Sequence, residues 1–102
     1  MTQETAEAAV IEVIVEIQEM GGLEACGINA ETKPIGDVPG FDSLNACEAT
    51  VAVAARLRMD IPNEANIFIN KAGDTALSVE EIAARIMEIA QSSEGATHGK
   101  RE

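Results

Sequence analysis

The stretch PGFDSLNACEATVAVAARLR, residues 39–58, joins a Pro-Gly turn to a long run of helix-forming residues. Asp and Ser both favour the position that caps the first free N–H groups of a helix, so Asp42 or Ser43 can begin this helix. Alanines on successive turns leave the helix apolar almost all round. It is therefore predicted either to be buried on two sides or to present a slim apolar face to a partner.

Towards the N-terminus, residues 5–20 predict an amphipathic helix that ends at Gly21-Gly22. Its glutamates gather on the side opposite the apolar residues. The apolar face consists of Val10, Val13, Ile14, Ile17 and Met20. Between the two helices, residues 23–41 contain repeated Gly and Pro without a sustained period, which predicts a long ordered loop. The residues expected to pin this loop to the core are Ile28, Ile35, Val38 and Phe41.

Towards the C-terminus, residues 63–77 are predicted to form a loop, in which Ile67, Phe68 and Ile69 make either a short helical turn or an extended segment. Ser78 and Glu81 have the spacing of a capping box that opens a final helix. Its apolar face consists of Val79, Ile82, Ala83, Ile86, Ile89 and Ala90. Residues 1–91 are thus predicted to form one all-α domain of three main helices plus one short helical element, and residues 92–102 a disordered polar tail.

The charge of the chain narrows the class of partner. Eighteen acidic residues against seven basic ones give a net charge of −11, which repels nucleic acid and favours partners with basic surfaces. No stretch has the length of a membrane span and the first residues lack a signal-peptide pattern, so we expect a cytoplasmic monomer that does not bind membranes. Cys26 and Cys47 lack metal-ligand spacing, and we expect reduced, partly buried thiols.

Several kinds of chemistry are disfavoured by the residues themselves. The only histidine, His98, lies in the predicted tail, so the folded part offers no Ser-His or Cys-His nucleophile pair. Residues 70–81 place some ligands of a calcium loop, but Ala72 and Thr75 occupy positions that require a ligand and a glycine. We therefore expect no metal site and no such nucleophile pair in the folded part.

The residues Gly40-Phe41-Asp42-Ser43-Leu44 match the G-x-D-S-L motif at the start of the second helix of acyl carrier proteins, and the chain resembles that family. The resemblance covers about residues 5–91. It includes Glu48, where the family usually has an acid, and Ile61-Pro62 after the second helix. The family order of helix, long loop, helix, short element and helix is also present.

The resemblance implies that Ser43 carries a 4′-phosphopantetheine arm, transferred from coenzyme A by a phosphopantetheinyl transferase, whose thiol holds acyl groups as thioesters. Asp42 and Leu44 would help to present the serine, and Glu48 would help to dock partner enzymes through their basic patches. The partners implied are that transferase and the enzymes that load and process acyl groups in fatty acid, specialised lipid or polyketide synthesis. The resemblance also implies that the protein is a carrier and not itself a catalyst.

The chain departs from the family pattern in three ways, and two other functions are alternatives to an acyl carrier. The second helix has Glu48 almost alone where relatives carry several acids, and the segment from residue 65 to residue 77 is longer than usual. Small residues also replace larger aliphatic ones common in the family, at Ala46, Cys47 and Ala49. These departures predict a specialised carrier. The alternatives are a carrier of aminoacyl or peptidyl groups, and an unmodified helical module that binds a partner through its Ala-rich second helix.

Overall fold

The computed structural model describes residues 2–25, 27–61, 66–70 and 72–101, with the backbone alone from residue 92 onwards. The elements are α1 (Gln3–Met20), α2 (Pro34–Asp37), α3 (Ser43–Leu57) and α4 (Val79–Arg101). The described residues form four helices and no strand, so the predicted all-α architecture of three main helices and one short element is confirmed. Helix α1 packs against both α3 and α4.

The first helix begins two residues earlier than its sequence prediction and ends where predicted, at Met20 before Gly21. It starts at Gln3, because the side chain of Thr2 accepts a hydrogen bond from the Thr5 N–H and caps the helix two residues earlier than expected. The prediction that Met20 faces the core is wrong, since Met20 is 88% exposed at the last residue of α1. The buried side chain near this end of α1 is Gln18.

The capping box that opens α4 is confirmed. The Ser78 N–H donates to Glu81 Oε1 at 2.9 Å, and the Glu81 N–H donates to Ser78 Oγ at 3.2 Å. The long loop also contributes here, because the Val79 N–H donates to the Thr32 carbonyl at 2.8 Å and the Glu80 N–H to the Ala30 carbonyl at 2.9 Å. The loop that leads to α3 is thereby attached to the first turn of α4.

The core lies between the three long helices and is closed by the segment before α4. The predicted apolar face of α4 is buried from Val79 to Ile86. Phe68 is completely buried, and its ring centroid lies 5.4 Å from that of Phe41. The loop is pinned as predicted, since Val38 and Phe41 are buried while Ile28 and Ile35 pack against the core. Burying each large apolar side chain contributes about 1.5–3 kcal/mol to stability.

The short helical element lies before α3 and not after it. Helix α2 is one irregular turn within the long loop, where Gly36 has a φ of 119°. Between α3 and α4 the described residues instead form a turn, in which Ile69 pairs with Ala76 in an antiparallel bridge. The Asn70 side chain closes this turn by accepting hydrogen bonds from the Gly73 and Asp74 N–H groups.

Some predictions concern residues at the limits of the description. Helix α4 continues to Arg101, through residues for which the sequence predicts a disordered tail, while their side chains lie outside the described part. The division into a domain and a tail at residue 91 stays a prediction. Cys26, Pro62 and residue 65 of the long segment also lie outside the described residues.

Candidate functional site at the start of α3

The approach to α3 is a tight turn over residues 38–41. The Phe41 N–H donates to the Val38 carbonyl at 3.1 Å, with Pro39 and Gly40 at the two central positions. Gly40 has a φ of 73°, which a type II turn requires at this position and which residues with a side chain rarely adopt. Because Phe41 is buried against Phe68, the turn is anchored to the core directly before Asp42.

Asp42 is the residue that caps α3. Its Oδ1 accepts a hydrogen bond from the Asn45 N–H at 3.0 Å, and Asn45 Oδ1 accepts one from the Asp42 N–H at 3.3 Å. The two residues form a reciprocal capping box. The sequence left Asp42 and Ser43 as equal candidates for the cap; the structure assigns the cap to Asp42 and makes Ser43 the first residue of the helix.

The Ser43 side chain is exposed and free of any capping role. Among the described residues no group bonds to its hydroxyl. The Asn45 and Ala46 N–H groups are satisfied by Asp42, so the amides still available in this turn are those of Ser43 and Leu44. Unpaired amides at a helix N-terminus, together with the helix dipole, stabilise an attached phosphate. The local geometry therefore fits a phosphodiester on Ser43.

One exposed face of α3 extends away from Ser43. Leu44 is 72% exposed, Glu48 lies one turn further on the same face, and Val51 one turn beyond that is 61% exposed. The structure thus brings together Leu44 and Glu48, two of the predicted site residues, on a surface that is mainly apolar. The opposite side of α3 is buried through Ala46, Ala49, Thr50 and Val53.

Cys47 also differs from its sequence prediction. The thiol is free and exposed, not partly buried, and Asn66 Nδ2 approaches its sulfur at 4.0 Å. The reason is the register of α3, because Ala46 and Ala49 take the two buried positions on either side of it. The small residues Ala46, Cys47 and Ala49 of α3 therefore divide between the core and the surface.

The acidic face of α1 is partly neutralised by α3. Arg56 donates to Glu12 at 2.6 Å and to Glu16 at 2.5 Å. These hydrogen bonds, the one to Glu16 first, raise the pKa of Arg56 above its ordinary value. Arg56, near the end of α3, is thus directed towards α1. Closer to Ser43, Glu48 is the single charged residue between Leu44 and Val51.

Gln18 is a residue of this site that the sequence prediction missed. It is 1% exposed, and its Nε2 donates to the Pro39 carbonyl at 2.8 Å and to the Glu24 carbonyl at 3.1 Å. The signal was present in the sequence, since Gln18 follows Ile14 by four residues and Val10 by eight, in line with the buried stripe of α1. A polar residue on such a stripe indicates a buried hydrogen bond.

The surroundings of the turn include one small pocket of about 140 Å³. It is lined by Glu24, Ala25, Gly27, Ile28, Thr32, Asp37, Val38 and Pro39. Within the described residues, no three His, Cys, Asp or Glu side chains come together as metal ligands would. No helix in the described part of the chain is long and apolar enough to cross a membrane.

Comparisons of the chain with protein-family models, with curated protein sequences and with solved structures find no match.

Proposed function

We propose that the protein is a specialised acyl carrier, in which Ser43 bears a 4′-phosphopantetheine arm whose thiol holds acyl groups as thioesters. The observation that supports this most directly is the division of roles at the start of α3. Asp42 performs the capping, and the adjacent Ser43 hydroxyl is exposed and unbonded. A serine that is needed neither for the cap nor for the core is available for modification.

The modification is a phosphoryl transfer from coenzyme A. Ser43 Oγ forms a new bond to the phosphorus that bears the pantetheine, the pyrophosphate bond of coenzyme A breaks, and the nucleotide part leaves. The serine proton passes to a base on the transferase. The bound arm supplies a thiol that forms thioesters, while the chain contributes the attachment oxygen and the amides of Ser43 and Leu44 beside the phosphodiester.

The surface around Ser43 suits a carrier that is handed between enzymes. Leu44, Glu48 and Val51 present an exposed apolar strip with one acid beside the attachment serine. A partner with an apolar groove and a basic residue would complement this strip. The carrier function, the cytoplasmic location and the absence of intrinsic catalysis belong to this proposal.

The test is intact mass spectrometry after incubation with coenzyme A and a broad-specificity phosphopantetheinyl transferase. We expect the wild type to gain the mass of one arm and Ser43→Ala to gain none. Ser78→Ala is the matched control, because it removes a serine from the start of another helix and should leave loading intact. Loading of Ser43→Ala, or failure of the wild type with several transferases, would refute the proposal.

A second function is favoured by the exposure of Leu44 and Val51. An unmodified helical module could bind a partner through the same strip without any arm. The two functions differ in one outcome: the module binds its partner equally well as Ser43→Ala, whereas the carrier loses its activity with that substitution.

A further inference from the structure

The turn that leads into α3 is tied to the far end of α1. Gln18, in the last turn of α1, uses its side-chain amide to donate to the carbonyls of Pro39 and Glu24. Pro39 is a central residue of the turn whose Phe41 N–H closes on Val38. A buried side chain on one helix thus contacts the backbone four residues before Ser43.

A second contact joins the same two regions. Leu23 Cδ1 lies 2.8 Å from the point that a Cβ on Gly40 would occupy, so the Leu23 side chain rests directly on the turn. The position of Leu23 is itself fixed by α1, because the Leu23 N–H donates to the Gln18 carbonyl at 2.8 Å. Gln18 therefore contacts the Pro39 turn directly through its side chain, and indirectly through its carbonyl, which binds Leu23.

We infer that Gln18 is a positioning residue for Ser43, which holds the Pro39 turn against α1 and so determines where α3 begins. Three sets of hydrogen bonds, joined by four residues of backbone, make this connection: Gln18 to the Pro39 carbonyl, the turn closed by Phe41, and the capping box of Asp42 with Asn45. Its consequence for loading rests on the carrier function proposed above.

We expect substitution of Gln18 to change the Pro39 turn without disturbing the rest of the fold. Pro39 and Glu24 lie at the surface, so water can replace the Gln18 amide at their carbonyls when the side chain is changed. Gln18→Met keeps the volume of the side chain and removes both donors, so the core stays filled while the turn loses its tie. The turn should then sample positions that present Ser43 less often.

The chain offers a matched control at the other end of α1. Gln3 Nε2 also makes two hydrogen bonds, to the Glu80 carbonyl and to Glu7 Oε2, both at 3.0 Å. Gln3→Met removes the same donors from the same helix but has no contact with the Pro39 turn. Leu23→Ala is a second variant that loosens the turn at little risk to folding, because Leu23 is substantially exposed.

The first measurement is native-state amide exchange by NMR in the wild type and the three variants. For Gln18→Met we expect exchange to rise about tenfold at Phe41, Asn45 and Ala46, the size expected from one lost hydrogen bond, with α4 unchanged. Gln3→Met should leave these three amides as in the wild type, and Leu23→Ala should raise their exchange by a smaller factor. Unchanged exchange in Gln18→Met would overturn the inference whatever the loading results.

The second measurement is the rate of arm transfer to each variant. We expect kcat/KM to fall about tenfold for Gln18→Met, as for other small misplacements of a reacting group, and to stay unchanged for Gln3→Met. If the wild type is loaded, and Gln18→Met shows faster amide exchange but a normal rate of arm transfer, only the positioning role of Gln18 is refuted. Failure of the wild type to load would refute the proposed function, and the link to loading with it, while the exchange data would still decide whether Gln18 holds the turn.

Discussion

Replacing Asp42 by alanine separates the stability of α3 from the presentation of Ser43. The substitution removes the acceptor of the Asn45 N–H, a hydrogen bond of 3.0 Å, and leaves the first turn of α3 without its cap. Loss of such a cap costs about 1 kcal/mol. In a domain of this size that loss corresponds to a fall in Tm of about 4–8 °C.

The packing of α3 keeps the stability loss close to this value. Its buried residues are Ala46, Ala49, Thr50 and Val53, and of these only the small Ala46 belongs to the turn that frays. Fraying therefore exposes no large core side chain. Ser43 is the first residue of that turn, so its position is lost first, and we expect loading of Asp42→Ala to fall about fivefold or more, as about 1 kcal/mol implies.

Two further variants test whether the loss of the cap causes the loss of loading. Asp42→Asn retains a side-chain oxygen that caps a helix as well as aspartate does, so we expect wild-type stability and at least half of the wild-type loading rate. Ser78→Ala removes a cap from α4 at a similar cost in Tm, and loading should be normal once the folded fraction is taken into account. The assay is mass spectrometry of the loaded fraction over time, beside thermal unfolding followed by circular dichroism.

Two results would contradict this account of Asp42. Normal loading of Asp42→Ala with a large loss of thermal stability would show that the cap supports the fold and not the serine. Equal loss of loading in Asp42→Asn and Asp42→Ala would show that the carboxylate charge, and not the cap, is what the transferase requires.

Three other predictions concern the fold. Phe68→Ala should lower the free energy of unfolding by about 3–5 kcal/mol in urea titrations, because Phe68 is fully buried against Phe41, and a loss below about 1 kcal/mol would contradict the core described above. The backbone N–H of Ser78 and then its side chain lower the pKa of Glu81 below its ordinary 4.5, so its contribution to stability is complete above that pH and is lost as pH falls through the lower folded pKa. Glu81→Gln should flatten the acid side of the stability curve, and an unchanged slope would exclude this role. Arg56→Met should cause only a small loss of stability that disappears in high salt, since its ion pairs with α1 are exposed; a loss that persists in salt would indicate a packing role.

Much of the fold follows from local patterns in the sequence. The capping box of Ser78 and Glu81, the apolar stripe of α4 and the Pro-Gly turn before Phe41 are each decided by neighbours within a few residues. Such features depend on helical periodicity and backbone preference, which a single segment carries by itself. The motif around Ser43 is visible for the same reason.

Other features depended on residues far apart in the chain. The sequence of Ile67, Phe68 and Ile69 suits a helical turn or an extended chain. In the structure Ile69 bridges to Ala76 while Phe68 packs against Phe41, twenty-seven positions earlier in the chain. Met20 fits the helical stripe by spacing, yet it is exposed because α1 ends there and the chain turns away at Gly21. Periodicity alone does not say where a stripe leaves the core.

At the start of α3, local sequence preferences and long-range contacts decide different features. By itself the sequence determined that a helix starts at Asp42 or Ser43 and that a serine stands at its first turn, because the preferences of Asp, Ser, Pro and Gly are local. The structure assigns the cap to Asp42 through the local capping box with Asn45, which leaves the Ser43 hydroxyl free and which the similar preferences of Asp and Ser did not decide. Only the tertiary structure decided that Gln18 holds the preceding turn. The physical reason is that a hydrogen bond between α1 and residue 39 spans twenty-one positions, and no local preference can specify such a contact.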